Sequence, residues 1–471
     1  MKKGFTLIEL LAVIIILAII LVIAVPGISR IVESAKLGAL EDQVKLVQRA
    51  AVLKYGMDSR WDCSTVNKSN IKQELDIDGS TFDEVGIELN DDKITTTIIK
   101  DGITVTSSNN LVVNNTKVYG LSWNITDGKF TRTDDAKSLL TVQVGVGNEK
   151  VTNNFDTAEI YSEMVEVTDE YGNQFIKIPK FYIKKTVTDT AWTWQISKKQ
   201  KDTDYYLPAC FVDEGTGQIF SYVLVGKYNA SLDTSTSKLE SKSGKNPLVS
   251  KNITEFRAYA QANNDLDSNI LGYQILDVHV VDILQTLFYI EFATLDSQSI
   301  MKGNTSNDKP LASGTTDDVT AKSGSLISNS DGKYAMKYRG IENFYGNLWQ
   351  FVDGINIKAD NQAYVSRNAT AYDSYTYAGD YVKVGYVNAN TNGYVLTMGY
   401  DKNNPFIQLP TTVGSGQYND YYYQASGNRI AVLGGRWDRG AIAGASSWHL
   451  YDGVADTFRI IIGSRLLKTP F

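Results

Sequence analysis

Histidine and cysteine, the residue types that most often build catalytic and metal sites, are scarce in this chain, and their spacing does not favour such a site. There are two histidines, His279 and His449, and two cysteines, Cys63 and Cys210. Neither histidine stands beside a carboxylate pair, so the pattern offers no zinc site and no His-based catalytic set. The cysteines lie too far apart to form a local motif. An extracellular setting would permit a bond between them, and two buried thiols fit equally well. His279 sits in a dense apolar stretch and reads as a core histidine. Glu9 is different, being the only charge between Phe5 and Val25. A carboxylate inside a bilayer costs at least a few kcal/mol, so it is expected to have a partner and a task.

The segment around Glu9 explains what that task is. Roughly 20 apolar residues in a helix cross a hydrocarbon core, and Phe5 to Val25 is that long. Lys2 and Lys3 hold the N-terminus on the cytoplasmic side. A secretory signal would place a small-residue cleavage site after the apolar run, whereas here Gly4 precedes it. Gly4-Phe5 followed by Thr6, Leu7, Ile8 and Glu9 closely resembles the class III leader of type IV pilins and pseudopilins, from Met1 to about Pro26. That resemblance implies a leader over residues 1–4, removed by a prepilin peptidase, and methylation of the new N-terminus at Phe5. It also implies a membrane-spanning segment over 5–25 that later packs against other pilin subunits. Glu9 would then pair with the N-terminal amine of a neighbouring subunit, offsetting its burial.

Pro26 can kink this helix without ending it. Leu37, Leu40, Val44, Val47 and Ala51 recur at steps of three and four, an apolar stripe, while Glu41, Asp42, Lys45 and Arg49 fill the other sides. Gly56 and Asp58 supply a stop, giving one helix over 5–58. A small β-rich segment is expected over 59–120, and between about Phe82 and Ile125 the runs DDKITTTIIKDGITV, NNLVVNNTKVYGL and SWNI read as short antiparallel strands with tight turns.

The formal net charge of −7 and a pI near 5.2 argue against a nucleic-acid partner. Tyrosine is abundant, 28 against 16 Phe and 7 Trp, a composition suited to binding surfaces. Beyond residue 120 come strands with bulky aromatics, then a helix over Ile253–Asn263 and a mostly buried helix over Tyr273–Leu295. Residues 300–333 are poor in apolar side chains and read as a long exposed loop. Tyr338 to Asn356 follows, with Arg339, Glu342 and Asp353 as possible buried ion-pair partners. The end, from Asn428 to Leu467, mixes Gly and Trp without regular alternation, which describes a core made mostly of loops.

RGIENFYGNLWQFVDG, the GGRW start and the IGSRL end resemble the C-type lectin-like domains of phage receptor-binding proteins. They also resemble the variable proteins of diversity-generating retroelements, and the related formylglycine-generating enzyme fold. The resemblance covers 121–471 and implies a small twisted antiparallel sheet with two helices, whose long loops carry a ligand site. Trp437, Trp448, Leu450, Gly463, Arg465 and Leu466 would be scaffold. Exposed ligand-binding positions would be Asp438, Arg439, Ala441, Ile442, Ser446, Ser447, His449, Tyr451, Asp452, Val454, Asp456, Thr457, Phe458 and Arg459. No Glu-Pro-Asn, Gln-Pro-Asp or Trp-Asn-Asp triplet is present, so calcium-dependent sugar binding is not expected, and no cofactor or metal is. The paired cysteines of the oxidase are missing too. The expected fold is α+β, a long pilin helix with a small β segment, then a lectin-like domain. The expected role is that of a minor pilin that binds a protein or glycan at the cell surface or pilus tip, not an enzyme. The alternative is a structural pseudopilin of a secretion or DNA-uptake filament with an invariant head.

Overall fold

The computed structural model describes residues 7–57, 61–90, 93–107, 111–112, 116–139, 143–144, 150–152, 154–265, 267, 272–325, 331–415, 420–450 and 459–470. They form two compact units, 1–115 and 116–471.

The first unit is built on helix α1 (Leu7–Met57), which runs through Pro26 without a break. Its stripe Leu40, Val44, Val47 and Ala51 is buried as the spacing requires, whereas Leu37 remains 42% exposed. Against that stripe pack helix α2 (Ile71–Leu75) and a sheet of β1 (Glu84–Asn90), β2 (Lys93–Lys100) and β3 (Ile103–Thr106), with β4 (Leu111–Val112) also on β2. Ile87, Ile94, Ile98 and Cys63 complete this core. Asp101 and Gly102 turn the β2–β3 hairpin with φ of 51° and 76°, the left-handed pair that matches the strands' twist. Gln48, buried among these side chains, donates to the Ile94 carbonyl at 2.9 Å. Of the apolar run over 5–25, only Leu11, Ile14 and Ile15 have described side chains, and each is about half exposed. Among the described residues no helix is long and apolar enough to cross a membrane.

The second unit is a mixed α+β body. One four-stranded sheet has the order Tyr182–Val187, Ala191–Ser197, Val118–Asn124, Phe130–Asp134. The SWN of the SWNI run ends the Val118–Asn124 strand. A five-stranded sheet has the order Tyr273–Ile275, Leu466–Lys468, Tyr222–Gly226, Gln174–Pro179, Val165–Thr168. The end of the chain thus lies inside a sheet whose other strands come from far earlier in the sequence. The largest sheet, nine-stranded, centres on Trp349–Ile357, every residue of which is buried. It exceeds the small sheet expected.

Helix α3 (Ile253–Gln261) opens with a capping box of Asn252 and Glu255. Helix α4 (Val278–Phe292) is buried along its whole length and starts at the Asp277 cap. Its charged and amide side chains and its histidine have partners. His279 Nε2 lies 2.9 Å from the Ser366 carbonyl, Gln285 donates to the Ala445 carbonyl at 2.8 Å, Asp282 meets Lys185, and Glu291 meets Arg339. Burial, with the charge of Arg367 nearby, pushes His279 down to about 4.

Arg339, Glu342 and Asp353 are all buried, but not with one another. Arg339 forks onto Glu291 at 2.9 and 2.6 Å and reaches Asp156 at 2.7 Å. Asp353 takes Arg257 at 2.6 and 2.8 Å, and Glu342 accepts from Thr316 and Gly314. Cys63 and Cys210 are free thiols, each buried in the core of its own unit.

Candidate binding surface

The C-terminal stretch folds as a surface loop fixed from below. Gly434 and Gly435 take φ of 103° and 84°, and a Cβ on Gly435 would come within 2.3 Å of Ala443. This lets the chain turn back on itself, with Gly444 N–H donating to Gly434 and Gly434 N–H to Ser447. The outer part of the loop, 436–442, is held by backbone bonds to segments distant in sequence. Trp437 donates to Asn347 and Gly440 to Thr305, while Trp437 accepts from Asn307. The polar segment expected to be an exposed loop is therefore inlaid in part: Asn304, Thr305 and Thr316 are fully buried. Asn304 donates to Asn347 at 2.9 Å, and Asn347 donates on to Asn229 at 3.0 Å. A buried amide is tolerated where such partners exist.

The inner part, 443–447, hangs on Asp420. Its Oδ1 accepts from Ser297 N–H at 3.1 Å, and its Oδ2 accepts from Ser297 Oγ at 2.7 Å and Ser446 N–H at 2.8 Å. Burial pushes its carboxyl up to about 7. Gly444 is required here, since a Cβ would lie 2.1 Å from Asp420 Oδ1. Gln285 and Gln298 donate to the carbonyls of Ala445 and Ala443, and the Tyr289 hydroxyl meets Ser446 Oγ at 2.6 Å. Arg465, also buried, spends its guanidinium on the carbonyls of Gly226, Lys227, Glu342 and Asn343 and on Gln350. Desolvation lowers its pKa to about 9.

The sequence-derived site residues divide accordingly. Asp438 and Ala441 are exposed, Arg439 and Ile442 are half-buried at the surface, and Arg459 is exposed. Ser446, Ser447 and His449 were expected to be exposed, and the structure corrects this: all three are buried. Ser446 is locked by Asp420 and Tyr289, and Ser447 Oγ donates to the carbonyls of Tyr421 and Ile442. His449 lies on the Trp448–Leu450 strand, its ring 4.7 Å from Trp349 and 4.8 Å from Tyr423. Tyr451, Asp452, Val454, Asp456, Thr457 and Phe458 lie outside the described residues, as do Gly4 and Phe5. Glu9 is on α1, but its side chain is outside them. Trp437, Trp448, Leu450, Arg465 and Leu466 are buried, as scaffold should be.

Outward of this frame stands a set of side chains that charge and ring chemistry join. Arg436 forks onto Asp438 at 2.5 and 3.0 Å and lies over the Trp437 ring, and Arg439 approaches Asp438 at 3.6 Å. Beside them runs a ladder of rings, Tyr394 to Tyr421 at 5.1 Å and Tyr421 to Tyr423 at 4.7 Å. The three tyrosines are half-buried. Sequence reading missed them, although the alternation in Tyr421-Tyr422-Tyr423 puts the first and third on one face and Tyr422 in the core. The set can stack, donate and accept, and among the described residues no cluster could hold a metal.

Residues 1–25 match the prokaryotic N-terminal methylation motif. The chain is 34% identical over 73 residues to the ComG operon protein 3 homolog of Bacillus licheniformis, covering 16% of this chain and 72% of that one. With its leader and long first helix it is a type IV pilin-like protein. It belongs to the family of ComG operon protein 3. Among solved structures, the Major Tropism Determinant P3c variant is 10% identical, covering 81% of this chain and 82% of its own, with a TM-score of 0.25. The U1 variant matches over the same shares with a TM-score of 0.23.

Proposed function

We propose that this chain is a minor type IV pilin whose second unit is a C-type lectin-like binding head, displayed at the cell surface or pilus tip. The first-unit helix supplies the anchor. A leader of this type implies cleavage after Gly4 by a prepilin peptidase, methylation of Phe5, residence in the membrane over 5–25, and assembly with other pilins through Glu9. The second unit supplies the function, which is adhesion to a protein or glycan and not catalysis. One observation carries this reading: Asp438, Arg439, Ala441 and Ile442 stand outward on a loop whose backbone is bonded to Thr305, Asn307 and Asn347 beneath. Side chains there can change without disturbing the frame, which is what a recognition surface needs. Tyr421 and Tyr423 add the ring area that dominates interfaces. Diversification by a retroelement fits the same design, and its sign would be a reverse transcriptase gene beside a near-repeat of the 3′ end. The test is saturable binding of the purified full chain, in detergent, to immobilised cell-surface glycans and proteins. Binding lost on Arg439→Ala with an unchanged melting temperature supports the reading. Absence of saturable binding would favour a structural subunit with an inert head.

A further inference from the structure

Lys185, on the Tyr182–Val187 strand, is fully buried, and so is its partner Asp282 on α4, with side-chain exposures of 0% and 1%. Around them lies an aromatic wall. Trp194 donates to Gln408 Oε1 at 3.1 Å, Trp192 stacks on Trp194, and the Tyr400 hydroxyl donates to the Lys185 carbonyl. Lys185 Nζ donates to Asp282 Oδ1 and, at 2.9 Å, to Gln408 Oε1. The Tyr206 hydroxyl donates to Asp282 Oδ2 at 2.7 Å. An ammonium carries three N–H donors, and among the described residues two acceptors meet it here. An amide in the same place would need one acceptor for its N–H, which Gln408 provides, and one donor for its oxygen, which Tyr206 provides.

We propose that Lys185 and Asp282 condense spontaneously to an intramolecular isopeptide bond that ties the strand to α4. Lys185 Nζ attacks Asp282 Cγ, the Nζ–Cγ bond forms, and the Cγ–Oδ1 bond breaks. Two of the three ammonium protons leave with Oδ1 as water, and the third remains as the amide N–H. No oxidant, reductant or outside reagent is required. Tyr206 is the catalytic residue, stabilising the negative charge that develops on Oδ2. Burial favours the reacting forms, pushing Lys185 down towards the free amine and Asp282 up towards the neutral acid. Condensation removes two charges from a buried site, where an ion pair is costly to keep. The bond would close a loop between positions 97 apart in sequence and bear load in a head that is pulled on its ligand. It stands independently of which ligand the head takes.

The test is mass spectrometry of the purified full chain under denaturing conditions. Wild type is expected to be lighter than its processed sequence by one water. Trypsin should then fail to cut after Lys185 and should release one branched peptide containing Lys185 and Asp282. Lys185→Met and Asp282→Ala should each restore the full mass, and because the chain is denatured for the measurement, their folding does not matter. Tyr206→Phe should slow the loss of water by roughly a hundredfold after synthesis. A wild-type chain of full mass with normal cleavage after Lys185 overturns the proposal, and unchanged kinetics in Tyr206→Phe overturn the role given to Tyr206.

Discussion

Replacing Asp420 by Asn should change how the stability of the second unit depends on pH. Asp420 is buried, accepts from Ser297 and Ser446, and has its carboxyl raised to about 7. In the unfolded chain an aspartate titrates near ~3.9. Between these two values the folded protein holds a proton that the unfolded chain has released. The stabilising contribution is therefore full below ~3.9 and is lost as pH rises through about 7. The slope is about 1.4 kcal/mol per pH unit, so raising pH from about 5 to about 8 should remove on the order of 3 kcal/mol. An Asn side chain has no such proton to lose. Urea unfolding of both proteins, followed by tryptophan fluorescence at the two pH values, measures the effect. Asp277, also raised to about 7 by burial, and His279, lowered to about 4, titrate in both proteins and cancel in the comparison. Whatever Asp420→Asn costs outright, the gap between the two proteins should move in the variant's favour by about 3 kcal/mol on going to the higher pH. Parallel profiles, within about half a kcal/mol, would refute the reasoning, because Asp420 would then be ionised and satisfied throughout.

Arg465→Met should abolish cooperative unfolding of the second unit. Four backbone carbonyls lose a buried donor at about 1–3 kcal/mol each, a sum comparable to the whole stability of a domain. A near-UV circular dichroism melt like that of wild type would contradict this. Trp448→Ala, removing a ring that is 2% exposed, should cost roughly 3–5 kcal/mol in the same melt. On the proposed pairing of Glu9 with a neighbour's amine, Glu9→Val should leave the chain in the membrane but out of filaments; normal recovery in sheared filaments would count against the pairing. N-terminal mass analysis of surface material should find methylated Phe5, and an intact Met1 would oppose processing.

The first unit is legible in the sequence because its signals are local. The leader is contiguous, the α1 stripe follows one period, and Asp101-Gly102 fixes its hairpin by backbone conformation alone. The α3 cap is similarly readable from Asn252 and Glu255. The second unit is readable in type but not in pairing. Tyr273–Ile275 looks like the start of α4 by hydrophobicity, yet it pairs with Leu466–Lys468, which sequence spacing does not reveal. Polar Asn304, Thr305 and Thr316 look exposed because composition does not show that Asn347 and Glu342 await them inside. Ser446, Ser447 and His449 mislead in the same way, since their partners Asp420, Tyr289, Tyr421 and Trp349 lie elsewhere in the chain. Asp438, Arg439, Ala441 and Ile442 do reach the surface, on a loop where backbone bonds, not side chains, do the holding.

The central claim is that this loop and its tyrosine ladder form a recognition surface on an independent frame. Its most direct test is a paired measurement on the purified full chain, binding to the immobilised cell-surface glycans and proteins alongside thermal unfolding. Arg439→Ala and Tyr423→Ala are expected to weaken binding by about 2 kcal/mol or more each if central. Arg439→Ala should leave stability within about half a kcal/mol of wild type. Binding that persists through both changes, or an Arg439→Ala chain that unfolds early, would place the ligand site elsewhere and contradict the account.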